Sequence, residues 1–157
     1  MSEVDFELMR NMPVFGGLSN GTLKMLLDQS DIASVAAGEF YFREGDRAQS
    51  LFVLQQGVAL VERVWKDASV VLGRLRKGDC VGEMSLIDMM PRSASVRAEE
   101  DCQAIEITLR CLHQLYKQAL DQYAMIMMNM GREISRRLRI SDDRLFVLEQ
   151  KTTAVNS

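Results

Sequence analysis

Seven short runs rich in β-branched and aromatic residues follow one another through the middle of the chain, at 32–36, 40–43, 51–55, 57–64, 70–76, 94–98 and 102–109. Turn residues separate them: Ala37-Gly38, Glu44-Gly45-Asp46, Lys66-Asp67-Ala68-Ser69 and Lys77-Gly78-Asp79. In the last run Ile105, Ile107 and Leu109 alternate with Ala104, Glu106 and Thr108, the period of a half-buried strand. Many short strands joined by turns predict a barrel or jelly roll over residues 31–109. Only one helix-like piece, at 82–90, interrupts them, and an insertion between two strands is a natural place for binding.

Helical texture flanks this core on both sides, so the expected class is mainly β with flanking helices. Residues 1–30 form an N-terminal helical segment. Val4, Phe6, Leu8, Met9 and Met12 lie among acids in a short helix closed by Pro13, and Ser19 caps a second with Leu23, Leu26 and Leu27 at helical spacing. Residues 110–150 are helical again. Leu112, Leu115 and Tyr116 mark a first helix, and a second runs from Asp121 to Gln150 without proline, ahead of a tail at 151–157. Tyr123, Met127, Met130, Ile134, Leu138, Leu145 and Leu148, with Ser141 interrupting, describe a slightly irregular heptad seam. A helix this long and apolar is expected to pack partly on the barrel and partly on a second copy, as a parallel homodimer through residues 121–150. Met125–Met130 reads as ordinary core, and the arginines from Arg132 to Arg144, interleaved with Glu133, Asp142 and Asp143, as a solvated helix face.

The interrupting segment, 81–97, carries the chemistry. Free amides after Gly82 favour an anion, Arg92 presents a planar fork of donors, Ser93 adds a hydroxyl, and Glu83 accepts from sugar hydroxyls. A carboxylate and a guanidinium nine positions apart can address two ends of one ligand, or can pair with each other across a loop. Residue types alone leave both readings open.

The wider pattern is more specific. Gly82-Glu83, the apolar piece Met84-Ser85-Leu86-Ile87-Asp88, then Pro91-Arg92-Ser93-Ala94-Ser95 resembles the phosphate-binding cassette of cyclic nucleotide-binding domains. That is the family of the catabolite activator protein and of the regulatory subunits of cyclic AMP-dependent protein kinase. Pro13 to Ser19, Gly38-Glu39, Phe42-Arg43-Glu44-Gly45-Asp46, Leu51 to Leu54, Gly57 and Gly78-Asp79 fall where the family has them. The resemblance implies a cyclic nucleotide-binding jelly roll that holds cyclic AMP, with cyclic GMP also admitted by the Ser93 hydroxyl. It assigns Glu83 to the ribose 2′-hydroxyl, Arg92 to the exocyclic phosphate oxygens, and Ser93 with the amides around Gly82, Met84 and Ser85 to the phosphate cradle. Val81, Leu72 and Leu75 are candidates for the apolar wall beside the base. On the long helix, Arg136 to Leu145 resembles the family's central dimerisation helix, and Ser141 matches the first of two small hydroxyl positions that reach the purine. Asp142 stands at the second and departs from the hydroxyl; its carboxylate would accept from an exocyclic amino group, which adenine and guanine both carry, so the base stays open. Ligand occupancy would then reach an unidentified downstream protein through this helix. The alternative is a structural dimerisation module whose pocket is unused or takes cyclic GMP or cyclic di-GMP.

Composition narrows the remaining classes. A net charge of -3 gives no global reason to expect nucleic acid or an anionic membrane, and 47% apolar with 26% charged residues is ordinary for a globular domain. The seven residues after Gln150 are too few for a helix pair that reads DNA, so no direct DNA binding is expected. The N-terminus lacks a signal peptide and no apolar run approaches a membrane span, so a cytoplasmic location without membrane contact is expected. Cys80, Cys102 and Cys111 read as reduced, buried thiols. His113, the only histidine, cannot build a metal site or a nucleophilic triad, so no enzyme activity, metal or further cofactor is expected.

Overall fold

The computed structural model describes residues 3–155. The side chain of Val4, and residues 156 and 157 of the expected tail, lie outside the described residues. The elements run α1 (Glu3–Arg10), a 3-10 turn (Pro13–Phe15), α2 (Asn20–Asp28), β1 (Asp31–Val35), β2 (Phe40–Phe42), β3 (Ser50–Gln56) and β4 (Ala59–Trp65). They continue with β5 (Ala68–Leu75), β6 (Cys80–Val81), α3 (Glu83–Asp88), β7 (Ser95–Ala98), β8 (Cys102–Thr108), α4 (Leu109–Gln118) and α5 (Leu120–Val155). Two antiparallel four-stranded sheets, in the orders β1-β8-β3-β6 and β2-β7-β4-β5, make the jelly roll.

β3, in the middle of the first sheet, is buried on both faces, and its period of two sorts residues between two cores, while the edge strand β1 is largely exposed. Along β3, Leu51 and Val53 point to the helices with Ile105 and Ile107 of β8. Phe52 and Leu54 point into the barrel with Ala104. The helical core adds Met9, Phe15, Leu23, Leu115, Ile126 and Met130, all sealed from solvent. Each such side chain contributes about 1.5–3 kcal/mol by leaving water. Ile126 and Met130 bear out the core reading of the methionine-rich stretch, although Met128 faces out. All three cysteines are buried and free.

Local chemistry fixes the boundaries. Ser19 caps α2 by accepting from the Thr22 amide at 3.2 Å, and Thr108 caps α4 by accepting from the Cys111 amide. β8 therefore ends before Leu109, which opens a helix instead of closing a strand. Gly57 is a turn residue at φ 90°, where a Cβ would meet the Asp101 carbonyl at 2.6 Å, so β4 starts two residues later than the β-rich run. Lys66 and Asp67, both at positive φ, make a two-residue hairpin turn with Trp65 opposite Ala68.

Helix α5 runs to Val155, through most of the expected tail, about 54 Å at 1.5 Å per residue. Its start is tied down. Asn129, buried, donates to the carbonyls of Val14 (3.1 Å) and Gly16 (2.8 Å), and Gln122 accepts from the Ser19 amide. Its distal half leaves Leu138, Leu145, Phe146 and Leu148 each more than half exposed. Among the described residues no helix is long and apolar enough to cross a membrane.

Candidate functional site

β6 pairs with β3 (Phe52 opposite Val81) and delivers the chain to Gly82, which takes φ 86° and turns directly into α3. The turn brings Glu83 inward, 1% exposed. On the other side of α3, reciprocal backbone bonds link Gly45 N to Arg92 O (2.8 Å) and Arg92 N to Asp46 O (2.9 Å), holding Arg92 against the barrel. The Arg92 guanidinium is buried over the Phe42 ring, 4.0 Å from its centroid. Its two terminal nitrogens donate to Gly82 O (2.8 Å) and Ser50 O (2.6 Å), while Nε has no partner. Burial pulls its pKa down, against the carboxylates of Glu83, Asp46 and Glu106.

Glu83 and Arg92 do not pair with each other. Arg137, from α5, takes one oxygen of Glu83: Nη1 donates to Oε1 at 2.9 Å, and Nη2 donates to the Cys80 carbonyl. Glu133, one turn earlier on α5, lies 3.5 Å from Arg137 Nε. Glu83 Oε2 is buried with no partner. Burial raises the Glu83 pKa, and the Arg137 cation only partly offsets it. Glu83 and Arg92 share a cavity of about 80 Å³, whose apolar wall is Phe42, Val61, Val81 and Val96.

The sequence-predicted residues divide in two. Val81, Gly82, Glu83, Met84, Ser85, Arg92 and Ser93 all line this cavity. Leu72, Leu75, Ser141 and Asp142 do not. Leu75 points into the barrel core opposite Ala59, and Leu72 lies half exposed at a bulge in the edge strand β5, between the Val61–Gly73 and Glu62–Val71 pairs. Ser141 and Asp142 are exposed on α5. Arg132, Arg136, Arg139 and Arg144 are exposed, as a solvated helix face requires, and Arg144 donates to the Leu72 carbonyl at 3.2 Å; Arg137 alone departs from that reading by entering the cavity. Sequence reasoning missed Arg137, Phe42, Val61, Ala94 and Val96 as site residues. A signal for Arg137 existed, because it follows the fully buried Met130 by seven residues and so lies on the same stripe.

The cyclic nucleotide-binding domain family model matches residues 32–119, more than half of the chain. The chain belongs to this family. As a cyclic nucleotide-binding domain it is 30% identical over 125 residues to the cAMP-dependent protein kinase type II regulatory subunit of Drosophila melanogaster, covering 74% of this chain and 33% of that protein. It is 27% identical over 126 residues to the cAMP-activated global transcriptional regulator CRP of Salmonella typhimurium, covering 79% of this chain and 58% of CRP. The domain thus spans from a third to under two thirds of these curated relatives, which are regulators by name. Its fold matches a crystal structure of a cyclic nucleotide-binding domain from Methylobacillus flagellatus with a TM-score of 0.79 at 24% identity, over 90% of this chain and 80% of that one.

Among the described residues no group of three or more His, Cys, Asp or Glu comes together to hold a metal ion. The donor set of the cavity suits a ligand with an anionic end and a hydroxyl end. Arg92 Nε is a free buried donor and Glu83 Oε2 a free buried acceptor.

Proposed function

We propose that this domain is a receiver for a cyclic purine nucleotide, cyclic AMP foremost, and that it passes its occupancy to another protein through α5. The observation that carries the reading is the pair of orphaned buried atoms, Glu83 Oε2 and Arg92 Nε, on residues lining one cavity. An unpaired buried polar atom costs about 1–3 kcal/mol. A cyclised ribose phosphate removes both costs, its 2′-hydroxyl donating to Glu83 and a phosphate oxygen accepting from Arg92. Ser93 and the amides of Gly82, Met84 and Ser85 complete the cradle in this reading. Both curated relatives described above are named for cAMP, which supports cyclic AMP as the first ligand.

The route outward runs through Arg137. It already holds Glu83 from α5, so a ligand sharing that carboxylate changes how the helix is held. Ser141 lies one turn further along the same side of α5, where a purine projecting from the cavity meets it, with Asp142 beside it on this chain or from a second copy. The test is calorimetry with cyclic AMP on the native chain and on Arg92→Ala. A charge-assisted contact of about 1.5–3 kcal/mol corresponds to about one to two decades of affinity. Unchanged affinity in the variant removes Arg92 from the phosphate.

A second reading is favoured by volume. The cavity, about 80 Å³, falls below the 300–1,000 Å³ usual for ligand pockets, as expected of a dimerisation module with an unused pocket. Thermal melts with cyclic AMP, cyclic GMP and cyclic di-GMP separate the two: a receiver is stabilised by its ligand above the dissociation constant and an idle scaffold by none.

A further inference from the structure

The C-terminal half of α3 borders a trough that the nucleotide cavity does not use. Leu86 and Ile87 form one wall with Met89, and Leu109 and Tyr116 of α4 with Met127 of α5 form the other, around a hollow of about 320 Å³. At Met89 and Leu109 it runs into a second hollow of about 270 Å³, bordered by Met90, Pro91 and Arg47. Met89 is 78% exposed and Met90 60%. A contiguous apolar surface of this kind marks an interaction site, and methionine lets it reshape around a partner.

The charges beside the trough choose the partner. Arg47 is the one charged residue among those described that lines either hollow, and neither it nor Arg110 or Lys117 has a carboxylate partner among the described residues. Arg110 and Lys117 are seven residues apart and therefore share one side of α4, about a quarter turn from the face that Leu109 and Tyr116 present. The carboxylates nearest in sequence accept hydrogen bonds within the chain: Asp46 from the Arg43 amide, Glu106 from the Ser50 hydroxyl and Asp121 from Gln122, as does Asp88, from the Met90 amide. An unpaired basic rim on a chain of net charge -3 runs against the overall sign. We propose that this trough docks an acidic amphipathic helix of another protein, its apolar stripe on Met89, Leu109 and Tyr116 and its carboxylates on Arg47, Arg110 and Lys117. The trough is a separate hollow from the nucleotide cavity, although both border α3 and Ser85 lines the cavity and the second hollow alike.

Fluorescence anisotropy on the full chain tests this with two labelled helical peptides. Both carry leucine at i, i+3, i+4 and i+7; one has glutamate at the remaining positions and the other lysine. The glutamate peptide binds at least tenfold tighter, and added salt narrows the gap. In the double variant Arg110→Glu, Lys117→Glu the preference reverses, and in Met89→Asp the glutamate peptide weakens at least tenfold. The double variant Lys24→Glu, Lys77→Glu, away from the trough, changes net charge by the same four units and leaves binding as it was. Equal binding of the two peptides, no binding of either, or a preference that survives the double variant overturns the proposal. So does a Met89→Asp chain that changes sedimentation mass without changing peptide binding, which would assign the trough to a second copy.

Discussion

Gly82 stands in the left-handed region at φ 86°, and a Cβ built there lies 2.5 Å from Arg92 Nη1. Gly82→Ala therefore meets a backbone cost of about 1–2 kcal/mol and a collision with the guanidinium. The expected outcome is a loss of unfolding free energy of that size in urea titration, and at least tenfold weaker cyclic AMP binding as Arg92 is displaced. Glu83 answers to pH. Because burial raises its pKa, the folded state holds its proton at pH values where the unfolded chain has released it. The contribution to stability is complete below the unfolded value of about 4.3 and is lost as pH rises through the higher folded value. Glu83→Gln is expected to flatten that decline in urea titrations across the window. Glu83 and Arg92 were legible in the sequence because Gly82-Glu83 and Pro91-Arg92 fall at the spacing of the family's cassette; residue types alone left them free to pair with each other. Phe42 stands out in the sequence only as the first residue of Phe42-Arg43-Glu44-Gly45-Asp46, and nothing local says that its ring lies beneath Arg92.

Two patterns overlap on α5, and they explain what was and was not readable there. The seam through Leu138, Leu145 and Leu148 is apolar and shows at once. The stripe through Tyr123, Met130, Arg137 and Arg144 turns from apolar to basic midway, so it looks like solvent until β6 and the β4–β5 hairpin are placed beneath it. Arg137→Ala leaves Glu83 buried without a partner, and a loss of about 1–3 kcal/mol of stability is expected in urea titration. The variant is also expected to bind cyclic AMP while amide exchange in α5 beyond residue 137 no longer responds. β6 escaped the sequence for a different reason: two residues between a turn and a glycine show no period. Leu72 and Leu75 fall outside the cavity lining for a reason that alternation does not show: a bulge at Leu72 breaks the period of β5 before Leu75 turns into the barrel core.

At the scale of the whole molecule the barrel and its helical cover were readable from texture, since short β runs between helical flanks allow few arrangements. The exposed Leu138, Leu145, Phe146 and Leu148 are what a single copy leaves unfinished. A homodimer through this face is the expected assembly, with sedimentation giving the mass of two chains for the native protein and of one for Leu145→Asp. The anchoring of Asn129 to the carbonyls of Val14 and Gly16 sets the mechanics of such an assembly. Arg137 lies eight residues from that pin, about 12 Å, and Val155 twenty-six residues from it, about 39 Å, on a rod rising 1.5 Å per residue. A stiff rod pivoting there works as a lever, multiplying any sideways step at Arg137 roughly threefold at its tip.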